Sequence, residues 1–203
     1  MSWLRQRRDD PYYRMAREMG LPSRAAFKLL EVQEKWRIIR RGDYVLDLGA
    51  APGGMTVVAA DEVGGGGRVV AVDVADVKVG DRNNVTVLKS DLFSQDLIER
   101  VREVSGGRLF DTIIADLSPK HTGDFELLVM QQLELLTRTR EIAYQLLKKG
   151  GHLVMKAFEH PAMRQFERET ARRFHRLERL VPKASPKGSA EIFQIYLGFR
   201  GQR

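Results

Sequence analysis

Lys156 stands at the end of an apolar run in GGHLVMKAFEH (150–160), where a strand enters a core. A lysine in that position loses much of the hydration of its ammonium and is rarely left without a partner. Two uses fit it. The side chain can reach from the strand end to a carboxylate such as Glu159 or Asp116, or the amine can do chemistry. A second set of residues says which chemistry. DLGAAPGGMT (47–56) leaves an apolar strand, turns through Gly49, Gly53 and Gly54, and enters a helix, so its backbone can approach a ligand closely. The loop lacks the Gly-Lys-Ser/Thr ending of a P-loop, and Gly-x-x-x-Gly-Gly with Pro52 inside is a poor dinucleotide fingerprint. Asp73 ends the following strand, where a carboxylate can accept both hydroxyls of a ribose. Asp91, after a third strand, is placed to accept the amino group of an adenine. Ribose and adenine without a grip on pyrophosphate point to S-adenosylmethionine rather than NAD. Any one of these glycines and aspartates can be explained as a turn; together they mark the carboxyl edge of an open sheet, where such folds bind ligands.

The elements that must hold these residues alternate. YVLDLGA, RVVAVDV, VTVLKSD, FDTIIADLS and GHLVMKAF read as five short apolar strands, with helical stretches between several of them. The clearest helix is expected from Phe125 to Lys148, stopped by Gly150-Gly151. Strand–helix alternation implies a doubly wound, mostly parallel α/β sheet. RLERLVP (176–182) and EIFQIYLGF (191–199), joined by a polar loop over 183–190, add a C-terminal antiparallel hairpin. Before the sheet, residues 1–41 form a basic helical segment. In PSRAAFKLLEVQEKW Ser23 is the expected N-cap, with Phe27, Leu30 and Trp36 on one apolar face. The expectation is therefore one Rossmann-like domain over residues 1–203, with 1–41 packed on it.

Composition narrows the classes. There is no cysteine, so disulfides, thiol catalysis and Cys-type zinc sites are excluded, and four widely scattered histidines argue against a His-based metal site. No apolar run is long enough to span a membrane, and MSWLRQRRDDPYYR lacks the apolar centre of a signal peptide, which places the protein in the cytoplasm. Lysine and arginine exceed aspartate and glutamate by 34 to 27, a net charge of +7 that suits a polyanionic partner.

SRAAFKLLE, DLGAAPGG, DTIIADLSP, LVMKAFE and AEIFQIYLGF, in that order, resemble the FtsJ/RrmJ family of RNA ribose 2′-O-methyltransferases over nearly the whole chain. The resemblance implies a Rossmann-like methyltransferase fold and a Lys-Asp-Lys-Glu catalytic tetrad, carried here by Lys28, Asp116, Lys156 and Glu191. It implies cofactor contacts at Gly53, Asp73 and Asp91, with Gly49, Gly54 and Asp116 beside them. Met55 is also expected at the cofactor, where it departs from the pattern, since many relatives have an aromatic residue there. For short, bacterial-type members the resemblance implies a uridine ribose of large-subunit ribosomal RNA; eukaryotic relatives modify transfer RNA.

On this reading Lys156 removes the proton of a 2′-hydroxyl held in line with the methyl donor. Burial and a second cation, Lys28, favour a neutral amine, whereas Asp116 and Glu191 favour the charged one; a purely positioning role for Lys156 stays open. Arg5, Arg7, Arg8, Arg14, Arg17 and Arg24, with Tyr12 and Tyr13, are expected to face RNA. Arg164, Arg168 and Arg172 form a second cluster, with Glu167, Glu169 and Glu178 as possible ion-pair partners. Lys183 and Lys187 of the loop before Glu191 could meet phosphates. The expected partner is ribosomal RNA or the large subunit, bound by a monomer without metal. The alternatives are transfer RNA as substrate, a catalytically silent ribosome assembly factor, and an NAD-dependent oxidoreductase.

Overall fold

The computed structural model describes residues 10–119, 123–185 and 188–201. In chain order the elements are α1 (Pro11–Glu18), α2 (Ala25–Trp36), β1 (Tyr44–Leu48), α3 (Gly54–Val63), β2 (Arg68–Asp73), β3 (Val85–Lys89), α4 (Leu97–Val104), β4 (Phe110–Ala115), α5 (Phe125–Leu146), β5 (Leu147–Phe158), α6 (Met163–Ala171), β6 (Phe174–Leu180) and β7 (Glu191–Phe199). The seven strands lie in the order β3-β2-β1-β4-β5-β7-β6. The first five are parallel, and β7 runs antiparallel to both β5 and β6.

Helices cover both faces, which is why the inner strands read as unbroken apolar runs. Successive residues of β1 show it. Leu46 packs with Ile113, Met155 and Tyr196 into a core that α4, α5 and α6 close with Ile98, Leu146 and Phe166. Val45 packs with Ile114, Val154 and Phe193 under Leu29 and Val32 of α2 and Val58 and Val63 of α3. Chain order reverses between β1 and β4, so a crevice opens at their carboxyl ends. Because β7 is antiparallel, its first residue, Glu191, pairs with Phe158 at the end of β5 and reaches that same edge.

Several local expectations change. Helix α2 begins at Ala25; Arg24 precedes it in a helical conformation and no side chain caps it. Ser23 is not a cap because its Oγ is turned toward the start of α3, where a Cβ on Gly54 would fall 2.2 Å from it. The buried face of α2 carries Ala26, Leu29 and Val32, one step round from the expected Phe27, Leu30 and Trp36. Phe27 packs on Tyr12 of α1 instead, at 5.6 Å between ring centroids. Helix α5 stops at Leu146 and passes directly into β5, without a glycine cap. Gly150 and Gly151 lie inside β5, where the register against β4 jumps from Phe110↔Leu147 to Thr112↔His152. A Cβ on Gly151 would lie 2.8 Å from the Asp111 carbonyl, so a glycine fits this bulge for lack of a side chain. Strand β6 starts at Phe174, where Phe174 pairs with Phe199, two residues ahead of the expected hairpin.

A candidate active site at the carboxyl edge of the sheet

A cavity of about 360 Å³ opens at the ends of β1, β2 and β3, with Gly49, Asp73, Asp91, Phe93, Leu117 and Gln131 among its walls. Gly49 adopts a φ of 77°, and a Cβ there would stand 2.7 Å from Leu117 Cδ2, so any side chain would close the wall. The Asp73 carboxylate is fixed by the loops beside it: Oδ2 accepts from the Ala51 amide at 2.9 Å and Oδ1 from the Ala75 amide at 2.8 Å. Asp91 Oδ1 accepts from the Phe93 amide at 2.8 Å. Each carboxylate keeps lone pairs free for a ligand. Gln131 Oε1, from α5, is buried with no donor. Carboxylate acceptors, a buried amide oxygen lacking a donor, and apolar walls at Val72, Leu92 and Leu117 fit the adenosine part of S-adenosylmethionine.

Gly53, Gly54 and Met55 are not among the walls of this cavity. Gly53 and Gly54 are points of close backbone packing, against the Lys78 carbonyl and the Ser23 side chain. Met55 is buried in the core between α2 and α3, away from the cavity walls.

Lys28, Asp116, Lys156 and Glu191 meet beside the cavity. Lys28 Nζ lies 2.5 Å from Glu191 Oε1 and 3.7 Å from Asp116 Oδ2. Lys156 Nζ lies 2.8 Å from Asp116 Oδ1, side-on, as an ion pair rather than an aligned hydrogen bond. None of the four side chains is more than 14 % exposed. Two ammoniums facing two carboxylates make a formally neutral group, the condition under which buried charge is tolerated. Burial pushes the Asp116 carboxyl up, but the Lys156 and Lys28 ammoniums outweigh it and hold the group below the usual carboxylate range. Glu159 takes no part in pairing Lys156; its amide donates to the Ala190 carbonyl.

The surroundings include groups that motif reasoning passed over. Ser118 Oγ accepts a hydrogen bond from Lys156 Nζ, which also donates to the Asp116 carbonyl at 3.4 Å. Ser185 Oγ donates to Glu191 Oε1 at 2.7 Å, and the Phe193 ring lies 5.7 Å from Lys28 Nζ. Gln132 Nε2 donates to the Lys156 carbonyl at 2.8 Å, anchoring the strand end to α5. Beneath the glycine loop Asp47 is fully buried. Its Oδ2 accepts from Thr56 Oγ1 at 2.6 Å, while Oδ1 has no donor. Burial pushes its carboxyl up to about 7, with Asp116 and Asp73 adding to the shift and the Thr56 bond opposing it. A lone acid inside YVLDL was the available signal for Asp47; Ser118 lay within the motif DTIIADLSP without being singled out, and Ser185 had no signal beyond lying in a loop.

The basic side chains expected to meet RNA differ in their surroundings. Arg5, Arg7 and Arg8 lie outside the described residues, as does Lys187. Arg14 and Arg17 are exposed on α1, whereas Arg24 pairs with Asp10. Arg164 and Arg168 on α6 and Arg172, the residue just past its end, are exposed. The acids expected to neutralise them have other partners at ion-pair distance, Glu167 with Arg179, Glu169 with Arg140 and Glu178 with Arg176, and Arg172 also acts on the Glu169 carboxylate. The backbone of Lys183 donates to Glu31 of α2 at 3.0 Å, tying the loop before β7 to the site's other wall. Among the described residues no group of three metal-ligating side chains gathers, and no helix is long and apolar enough to cross a membrane.

A family model described as FtsJ-like methyltransferase matches residues 21–199. Ribosomal RNA large subunit methyltransferase E of Methanothermobacter thermautotrophicus is 35% identical over 200 residues, covering 98% of this chain and 94% of that protein. The protein of the same name from Pseudomonas fluorescens is 32% identical, covering 100% and 96%. Among solved structures, a Plasmodium falciparum protein assigned as a ribosomal RNA methyltransferase superposes with a TM-score of 0.79 at 19% identity, over 89% of this chain and 100% of that one. Aeropyrum pernix fibrillarin, with natively bound S-adenosyl-L-methionine, gives 0.59 at 18%, over 85% and 74%. At those identities the structures speak for the fold, which is the Rossmann-like methyltransferase fold.

Proposed function

We propose, since this chain belongs to the FtsJ-like methyltransferase family, that it methylates the 2′-hydroxyl of a ribose in large-subunit ribosomal RNA, at a uridine. The chain is an S-adenosylmethionine-dependent methyltransferase by that membership. Support for the RNA comes from relatives above 30% identity that carry the name ribosomal RNA large subunit methyltransferase E. The ribose hydroxyl and the uridine rest on the motifs shared with the family. The observation that carries the reading is the juxtaposition of the Lys28–Glu191 and Lys156–Asp116 pairs with a cavity that fits adenosine.

When bound, S-adenosylmethionine supplies a methyl group already activated on a sulfonium, so the protein's task is alignment and proton removal. Asp73 and Asp91 hold the two ends of the adenosine. Asp116 holds both amines at the mouth of the cavity, and Ser185 and Lys28 hold Glu191. Lys156 takes the proton of the hydroxyl. Lys28, its charge balanced by Glu191 and Asp116, steadies the ribose or its phosphate. Arg14 and Arg17, with Arg164, Arg168 and Arg172, receive the strand.

The test is transfer of a labelled methyl group to unmodified large subunits, free ribosomal RNA and bulk transfer RNA in parallel, with the labelled nucleotide mapped. Label is expected on a large-subunit ribose. Lys156→Ala should lower the rate by about 10²-fold or more, the range of a general base, with cofactor affinity by calorimetry kept. Label confined to transfer RNA, or turnover surviving in Lys156→Ala, would reject the substrate or the base respectively.

A further inference from the structure

Lys156 Nζ has three acceptors within reach: the Asp116 carboxylate at 2.8 Å, the Asp116 carbonyl at 3.4 Å and the Ser118 hydroxyl. An ammonium has three N–H donors and no lone pair; two serve the Ser118 hydroxyl and the Asp116 carbonyl, and the Asp116 carboxylate beside them balances the charge. A lysine that receives a proton must first exist as the neutral amine, with two N–H groups and one lone pair. The carboxylate and the carbonyl can only accept, and both favour the charged amine. A hydroxyl accepts from an ammonium and donates to an amine, so Ser118 alone among the three suits both states. Position supports the same role. Lys156 is 5% exposed, whereas Ser118 is exposed and forms part of the cavity wall.

We infer that Ser118 is a positioning residue for methyl transfer, the reversible hydrogen-bond partner that lets the Lys156 amine change charge. Before the ribose arrives the Ser118 O–H points at the amine's lone pair; as the 2′-hydroxyl takes that place the Ser118 hydroxyl rotates and accepts from an amine N–H, which leaves the lone pair to the substrate. During transfer the ribose O–H bond breaks and the proton passes to Lys156 nitrogen, forming its third N–H bond. The new O–CH₃ bond forms as the S–CH₃ bond breaks, its electron pair staying on sulfur. The Ser118 hydroxyl keeps its own O–H bond throughout and only rotates, accepting from the ammonium it previously donated to. The side chain belongs to the same short loop as Asp116, so the loop after β4 sets both the charge and the orientation of the amine.

This inference rests on the proposed reading of Lys156 as proton acceptor, and the experiment separates the two. Threonine and valine are nearly isosteric and differ by the hydroxyl, so Ser118→Thr and Ser118→Val form the comparison, with Ser118→Ala beside them. Single-turnover methyl transfer to large-subunit RNA is measured at saturating cofactor, with cofactor Kd by calorimetry and the melting temperature of each variant. Ser118→Thr should stay within about 3-fold of the parent rate, while Ser118→Val and Ser118→Ala fall about 10- to 100-fold, toward the scale of a lost acid–base group. Kd should stay within about 2-fold, because the hydroxyl is turned to the amine. Equal rates for the threonine and valine variants, or a loss confined to Kd or KM, would overturn the role of Ser118 and leave the reading of Lys156 intact. A parent protein that labels no RNA would overturn both.

Discussion

Asp47 and Asp116 are both buried carboxyls at the edge of one sheet, and their surroundings drive them apart. Asp116 has two ammoniums and is held ionised. Asp47 has one hydroxyl donor and two acidic neighbours, and its carboxyl sits at about 7. An unfolded chain ionises an aspartate near pH ~3.9. Between that value and about 7 the folded protein keeps a proton that the unfolded chain has released. The stability this confers is complete below the unfolded value and is lost as pH rises through the folded one. Asp47→Asn cannot ionise and still offers Thr56 an acceptor, so its stability should lack this slope. Relative to the parent, the variant should gain on going from pH 5 to pH 8, by at most about 3 kcal/mol at 1.36 kcal/mol per unit over the two units below the folded value. Any fixed cost of the new amide N–H groups shifts the curve without tilting it. Urea midpoints across that range measure the gain, and two parallel profiles would show that Asp47 does not titrate there.

Besides lending Gln131 to the cavity wall, helix α5 braces a neighbouring loop. Arg138 Nε donates to the Leu92 carbonyl at 3.0 Å and Nη2 to the Ser94 carbonyl at 3.2 Å, bracing the loop that carries Asp91 and Phe93. That loop is otherwise closed by its own short turn, with Ser94 N donating to the Asp91 carbonyl at 3.1 Å. Arg138→Ala should free it at a cost of about 1–2 kcal/mol, a cofactor Kd about 5- to 30-fold weaker, with the rate at saturating cofactor retained. An unchanged Kd would mean that the turn alone fixes Asp91. Such struts explain which parts of the molecule could be read in the sequence. The strands and their terminal aspartates were legible because a strand buried on both faces is an apolar run, and a polar residue ends it visibly. The tetrad was legible only through shared motifs, since Lys28 and Glu191 come from opposite ends of the chain and meet through the antiparallel β7. The Gly150-Gly151 pair misled because a glycine pair serves a helix end and a strand bulge equally well; the deciding contact, with Asp111, lies on another strand. Ser23 failed as a cap for the same kind of reason, its surroundings being set by α3.

Across the whole molecule the charge is uneven in a way the total of +7 conceals. Residues 164–179 hold six arginines against three glutamates, and all three glutamates are engaged by Arg179, Arg140 and Arg176. Arg164, Arg168 and Arg172 are left exposed at i, i+4 and i+8, about 6 Å apart along the helix axis. Helix α6 begins a few residues after β5 delivers Lys156, so this row starts near the site and leads away from it toward Phe174, which pairs with Phe199 at the far end of β7. Helix α1 presents Arg14 and Arg17, and its Tyr12 packs on Phe27, the neighbour of Lys28. An RNA strand that contacts both helices would be held by both sets of arginines. Counterion release gives each phosphate contact about 0.7 of slope in a plot of log affinity against log salt for single strands, and about 0.9 for duplex. Replacing Arg164, Arg168 and Arg172 with alanine should therefore flatten the salt dependence of RNA binding by about 2. Replacing Arg14 and Arg17 should flatten it by about 1 to 2, and the two sets should add, since they act on separate phosphates. The chemical step should survive in both variants when RNA is saturating at low salt, because neither helix supplies the tetrad. A slope untouched by the α6 triple variant would confine the RNA to the α1 side, and a slope untouched by either would take it off both helices.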